Sequence, residues 1–392
     1  MLRPGFPKRA VWALGAALFV VLFVVLRQAP SALPVSSRRR GNSPSALLDD
    51  IGNATLGFEK ILVVGLPERT DRRDGMVLGA ALSNLAVDFV DGVVDTAVPS
   101  KAVPKTESGD HITGASLGSW RGHMNAVQQI VRQNLSSALI LEDDCDWDIA
   151  IRQQLRDFAL STQALTQPLR ANHVVYADPT YPSPNSESLP AVPELSFDHL
   201  PLTMPPKVSP YGDEWDVLWV GHCGMSFPFE ESKTIPKGRV IHRNDVTVAG
   251  RSHLWSLNSP FTLKDNYPEH TSAVHHVQEG ICTLAYAVSQ AGARKILRHI
   301  ALREASEKFD FLMRYFCEGA KGRPRHNCLT SQPGYFQHHR PVGFNKDASD
   351  IDNHGEGFRP KAETDMIRWS VRLNTDILLA GRTDYIDQFP DV

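Results

Sequence analysis

Five carboxylates fall within seven residues in the run Glu142-Asp143-Asp144-Cys145-Asp146-Trp147-Asp148. Like charges this close repel, so the run needs a cation, basic neighbours or free solvation. If the strand before it continues, side chains alternate, and Glu142 and Asp144 share one side while Asp143 faces the other. Such a pair holds a hard divalent cation, with water and phosphate oxygens filling its other positions. A cation placed there would neutralise charge developing on a departing diphosphate. The same run offers two further pairs, Asp144 with Asp146 and Asp146 with Asp148, and spacing alone does not choose among them. The competing reading is a solvated acidic turn.

The elements that must position this cluster can be read around it. Ser137-Ala138-Leu139-Ile140-Leu141 is a buried strand by composition, which sets the first carboxylates at a sheet edge. Lys60 to Val64 gives an earlier strand closed by Gly65 and Pro67, and Ala86 to Val90 another. Between strands, residues 119–134 place Trp120, Met124, Val127, Ile130 and Val131 on one helical face. Trp215 to Val220 predicts a further strand, and residues 283–300 and 309–317 predict helices. This alternation predicts an α/β domain with a mostly parallel central sheet, binding ligands beyond the C-terminal ends of its strands. Residues 177–210, rich in Pro and Ser, read as a surface insertion.

The chain has 392 residues and a net charge of −3. Residues 1–58 hold seven basic and two acidic side chains, +5, so the remainder carries −8. That balance excludes a dedicated nucleic-acid binder. Five cysteines are too few to staple a chain of this length. Cys223, Cys282, Cys317 and Cys328 are disulfide candidates, with Cys317 and Cys328 the close pair, which leaves Cys145 as the expected free thiol. No Walker A motif, no GxGxxG after the first strand, no HExxH and no GxSxG elbow occurs. His242, His275, His276, Glu279, His338 and His339 offer only a strained reading as a metal hydrolase site.

Ala10 to Leu26 is a run of 17 uncharged, mostly apolar residues between Arg9 and Arg27. It predicts a single transmembrane helix at 10–27 after a short tail at 1–9, with a cleaved signal peptide as the competing reading, and the flanking charges do not decide its orientation, so that the tail is cytoplasmic only if the resemblance given below holds. A flexible stem is expected at 28–58, the main domain at 59–340 and a C-terminal extension at 341–392. Asn53-Ala54-Thr55 and Asn134-Leu135-Ser136 are glycosylation acceptors if they face a lumen.

Several blocks resemble glycosyltransferase family 25, which includes lipooligosaccharide and procollagen galactosyltransferases. Ile61 to Leu66 with Glu68-Arg69-Thr70-Asp71-Arg72 is similar to the opening strand and turn, with Gly65 in place of the usual Asn. Leu117 to His123 is similar to a second element, in which Ser119 and Gly122 replace a Cys and a Ser. Ala138 to Asp144 matches the most diagnostic block throughout. Trp215 to Leu218 with Gly221 follows, then Thr283, Ala285-Tyr286, Ser289 and Gly292-Ala293 ahead of Asp310.

The resemblance implies a GT-A type nucleotide-sugar fold and inverting, metal-assisted transfer from a UDP-sugar, commonly UDP-galactose. Mn2+ or Mg2+ is the expected metal, with Asp144 and Glu142 as ligands and Asp143 assisting. Arg69, Asp71 and Arg72 are expected at the nucleotide edge, where Arg pairs bidentately with phosphate. The base that takes the acceptor hydroxyl proton is expected at Asp310, or else at Asp216. The implied acceptor is a glycan, a lipid-linked sugar or a protein hydroxyl. The implied location is the Golgi or endoplasmic-reticulum membrane, as a type II protein with its catalytic domain in the lumen. An inactive lumenal binding protein that keeps the fold is the alternative.

Overall fold

Alternate residues of the first strand face two different cores. In β1 (Lys60–Gly65), Ile61 and Val63 join one apolar cluster while Leu62 and Val64 join the other. A strand buried on both faces needs cover on both, and helices supply it. The computed structural model describes residues 44–107, 109–184, 192–352 and 354–391.

The remaining strands are β2 (Val87–Asp91), β3 (Ser137–Glu142), β4 (Cys145–Trp147), β5 (Glu194–Ser196), β6 (Val217–Gly221), β7 (Gly224–Ser226), β8 (Arg239–His242) and β9 (Ser272–His276). They continue with β10 (Gln278–Ile281), β11 (Ala285–Ser289), β12 (Cys328–Gln332), β13 (Phe336–Arg340), β14 (Gly343–Phe344), β15 (Phe358–Arg359) and β16 (Glu363–Thr364). Nine of them form one sheet in the order β2-β1-β3-β11-β6-β12-β9-β8-β5. β11 pairs antiparallel with both β3 and β6, and β9 antiparallel with both β12 and β8. The other pairings are parallel, so only β9 and β11 run against the rest.

One face is covered by α1 (Thr70–Leu82), through Met76 and Ala80, and by α3 (Ile151–Thr166), through Leu155, Phe158 and Ala159. The other carries α2 (Gly114–Arg132), α4 (Gln290–Ile296) and α5 (Phe309–Glu318), with Trp120, Met124, Ile130, Ile296, Leu312 and Phe316 in its core. The result is a three-layer α/β arrangement. α2 approaches the sheet closely where two of its inward positions, Gly118 and Gly122, lack side chains. A Cβ at Gly118 would come within 2.4 Å of the Val93 carbonyl oxygen, and one at Gly122 within 3.0 Å of Val64.

Three expectations are corrected. The sheet is mixed, not mostly parallel, because β9 and β11 are reversed. Among the described residues no helix is long and apolar enough to cross a membrane; the 10–27 segment, where a transmembrane helix was expected, lies outside the described residues. The folded unit also begins before residue 59. Ile51, Leu56 and Phe58 are buried in the first core and Tyr211 donates its hydroxyl hydrogen to the Leu56 carbonyl at 2.7 Å, so the last part of the expected stem is structural. Within residues 177–210, β5 adds a strand to the sheet beside β8.

Candidate active site

β3 ends at Glu142, the chain turns at Asp143 and Asp144, and β4 begins at Cys145. This break decides the direction of each carboxylate. Glu142 faces the α2 side, where Thr283 Oγ1 donates to its Oε1 at 3.1 Å and His123 Nε2 lies 3.3 Å away. His123 is buried, stacked on Phe309 at 4.5 Å between ring centroids, and its Nδ1 is 2.9 Å from the Tyr286 hydroxyl. Asp143 faces α1 and pairs with Arg72 at 2.8 Å. Its carboxylate occupies the space a side chain at residue 65 would take: a Cβ on Gly65 would stand 2.1 Å from Asp143 Oδ2. Burial raises the Asp143 pKa to about 6 against the opposing pull of Arg72.

Asp144 is buried beneath four basic groups. Burial works to raise its pKa, but His338, Arg72, Arg340 and Arg372 outweigh that and hold it below the usual carboxylate range. Arg72 and Arg340 each lie 3.6 Å from its Oδ2, and both also donate to the Ala348 carbonyl at 2.9 Å. Its other oxygen, Oδ1, is buried without a hydrogen-bond partner among the described residues.

β13 pairs antiparallel with β4 in the register His338 opposite Cys145, and the His339 amide donates to the Asp144 carbonyl at 2.8 Å. That pairing brings His338 beside the cluster. One ligand atom from each of Glu142, Asp144 and His338 lies within 4.8 Å of the others. Two carboxylates and one imidazole, one of the carboxylates carrying an oxygen with no hydrogen-bond partner among the described residues, fit a divalent cation such as Mn2+ that accepts both donor types.

Asp146 and Asp148 have other partners. Asp146 accepts hydrogen bonds from the Trp147 amide at 2.8 Å, from Thr364 Oγ1 at 2.8 Å and from the Ser370 hydroxyl. Asp148 accepts from the amides of Ala150 at 2.8 Å and Trp369 at 3.1 Å, and burial lifts its pKa to about 7. Both therefore hold the chain around 364–370 and neither faces the cation position. Of the three overlapping pairs in the sequence, Glu142 with Asp144 is the one the fold brings together.

Asp310 stands at the start of α5, where its carboxylate accepts from the Cys282 amide at 3.0 Å and the Phe311 amide at 2.9 Å. Burial raises its pKa, the two amides oppose this, and the nearby Glu142 charge adds to the rise. Residues 282 and 283 thus form a corner that touches both Asp310 and Glu142, and a disulfide from Cys223 to Cys282 fastens it. Arg69 and Asp71 pair at the exposed start of α1, where Arg69 also contacts Asp350. Asp216 is not part of this group. It precedes β6 and is ion-paired with Lys295 at 2.7 Å, at the opposite edge of the sheet.

Two members of the site escaped sequence reading as partners of the cluster. His338 is joined to Asp144 only by the β4–β13 pairing, for which periodicity carries no signal. Arg340 arrives the same way. The distance of Asp216 from the cluster did have a signal: it stands before its strand, whereas Glu142 ends its own.

No family model matches the chain. Among curated proteins, procollagen galactosyltransferase 1 of Danio rerio is 25% identical over 152 residues, covering 34% of this chain and 24% of that relative. The chain therefore matches about a quarter of the relative's length. It is distantly similar to a glycosyltransferase over a third of its own residues.

Proposed function

We propose that this chain is a metal-dependent glycosyltransferase of the family 25 type, moving a hexosyl group from a UDP-sugar, with UDP-galactose the first donor to test, to an acceptor hydroxyl. The observation that carries the reading is the convergence of Glu142, Asp144 and His338 at the C-terminal edge of the parallel strands, with Asp144 Oδ1 buried and unpartnered among the described residues. The distant similarity to a galactosyltransferase supports it.

Glu142, Asp144 and His338 would hold the cation, which supplies neutralisation of the departing diphosphate. His123 and Thr283 orient Glu142 from behind, fixing which oxygen is presented. Arg72 already bridges Asp143 and Asp144, and together with Arg69 it supplies positive charge where a diphosphate would lie. Asp310 takes the acceptor hydroxyl proton. Its burial strengthens it as a base, while the Cys282 and Phe311 amides keep its carboxylate oriented. Two disulfides, Cys223 to Cys282 and Cys317 to Cys328, support an oxidising compartment such as the secretory lumen as the place of action.

The test is a thermal shift with UDP in the presence of Mn2+, alongside turnover of UDP-galactose. Wild-type protein is expected to show a metal-dependent shift that Asp144→Asn loses, with Asp310→Asn retaining the shift but losing transfer by about a hundredfold or more. Absence of any metal-dependent UDP shift in the wild type would sink the reading and leave an inactive binding protein.

A further inference from the structure

At the other edge of the nine-stranded sheet, the strand starts enclose a second cleft of about 710 Å³. Glu59 precedes β1, Ser136 precedes β3, Asp216 precedes β6 and Asn327 precedes β12, while Ser289 ends the reversed β11. All five line the cleft and all lie opposite the Glu142 edge. β3 is six residues long, which separates the two edges by about 17 Å at roughly 3.3 Å per residue. The volume is within the range of about 300–1,000 Å³ usual for small-molecule sites.

The lining excludes two classes of ligand. Carboxylates at Glu59, Asp213, Glu214 and Asp216 outnumber the cations Lys295 and Arg325, and burial lowers the His326 pKa to about 4, so this is no anion site. Most of the negative charge is also internally engaged. Lys295 Nζ donates to both Asp216 oxygens at 2.7 and 2.9 Å, and Asp213 accepts from the amides of Lys207 and Val208, each at 2.8 Å. Glu59 accepts from the Ser136 amide at 2.6 Å, so most of these carboxylates are already tied into the wall, although the lining keeps an excess of negative charge and the spermidine titration tests for a polycation. An apolar ligand is also a poor match, because polar and charged side chains make up most of the lining, with Pro182, Val208, Trp215 and Ala291 the apolar remainder.

What the wall offers is neutral hydrogen bonding beside an aromatic ring. Asn134, Gln290 and Asn327 supply amides, and Ser136 and Ser289 hydroxyls. Tyr181 is held in place by stacking on His276, 5.7 Å between centroids, and by Asn327 Nδ2, which donates to its hydroxyl at 3.2 Å. His326 Nε2 and Asn327 Oδ1 have no hydrogen-bond partner among the described residues, and both residues border the cleft.

We propose that this cleft is a second, non-catalytic saccharide site that takes a neutral oligosaccharide segment. Sugar hydroxyls both donate and accept, which suits the mixed amide, hydroxyl and engaged-carboxylate wall, and an apolar sugar face suits the Tyr181 ring. Its distance from the Glu142 edge means that it holds a part of a glycan other than the one that reacts. The inference rests on the lining of the cleft and goes beyond the transfer reading.

The experiment follows the fluorescence of the purified chain, Trp215 being a wall residue, during titration with lactose, maltotriose and triacetylchitotriose, and separately with spermidine. At least one neutral probe is expected to saturate by about 10 mM. Tyr181→Ala and Gln290→Ala should each weaken it about tenfold or more, while Asp144→Asn at the other edge leaves it unchanged. Gln290 lies at the start of α4 and binds only Asn134 through its side chain, so its variant keeps the fold if Tyr181→Ala does not. No saturation by any neutral probe, saturation that ignores both variants, or spermidine binding in place of the sugars overturns the proposal. UDP with Mn2+, measured on the same samples, reports on the opposite edge, so failure of the transfer reading and failure of this one are separately visible.

Discussion

Asp148 and His338 show how two residues of similar promise acquire different work. Asp148 is fully buried, and its raised pKa of about 7 means the folded state keeps a proton that the unfolded chain gives up near pH 4. The folded form binds more protons between those values, so this group's contribution to stability falls as pH rises from about 4 to about 7. Asp148→Asn is expected to flatten the slope of Tm against pH in that window; an unchanged slope would contradict the assignment. His338 and His339 are neighbours in sequence with different partners. His339 Nδ1 bonds Thr364 at 3.0 Å, whereas His338 joins Glu142 and Asp144. Loss of the imidazole in His338→Ala should weaken Mn2+ binding by about ten- to a hundredfold, and His339→Ala should leave it within about twofold, as read by calorimetric titration. The sequence could rank Glu142 and Asp144 because a buried strand runs straight into them. It could not rank His338 over His339, since both lie on a short strand whose partner is chosen by tertiary pairing.

At the level of elements, the site depends on how closely β1, α1 and the turn after β3 approach one another. Gly65 leaves the space that Asp143 fills, and Asp143 in turn holds Arg72. Gly65→Ala should therefore destabilise the protein by about 1–3 kcal/mol in denaturant titration and weaken UDP binding with it; wild-type stability would show that the Asp143 side chain moves aside freely. The sequence made the strand, the helix and the acidic edge legible because their apolar spacing is local. The reversed β11 between β3 and β6 was not legible at all: residues 283–300 were expected as one helix, but Ala285–Ser289 form a buried strand and the helix starts only at Gln290. The separation of Asp216 from the Glu142 group was not legible for a related reason: the residues at the two ends of a strand look equally placed in sequence, and only the fold shows that Asp216 stands at the opposite end.

For the whole molecule, the two disulfides tie distant parts of the second core and the catalytic corner. Cys223 to Cys282 closes a 59-residue separation and Cys317 to Cys328 one of 11. Reduction under native conditions is expected to lower stability by about 2–4 kcal/mol per bridge, seen as a drop in denaturation midpoint with dithiothreitol; a midpoint indifferent to reductant would argue that the bridges are absent in solution. Cys145 stays buried and unpaired in either case. The binding of Asp146 and Asp148 by residues 364–370 carries a further implication for biosynthesis. Chains are made in order, and the β1 to β3 segment emerges from the ribosome long before β13 or Ser370. The metal position is therefore one of the last features the nascent chain completes. A message interrupted after codon 340 would yield a product with Glu142, Asp144 and His338 all present, yet with Asp146 and Asp148 left only their local Trp147 and Ala150 amides and deprived of the Thr364, Ser370 and Trp369 donors.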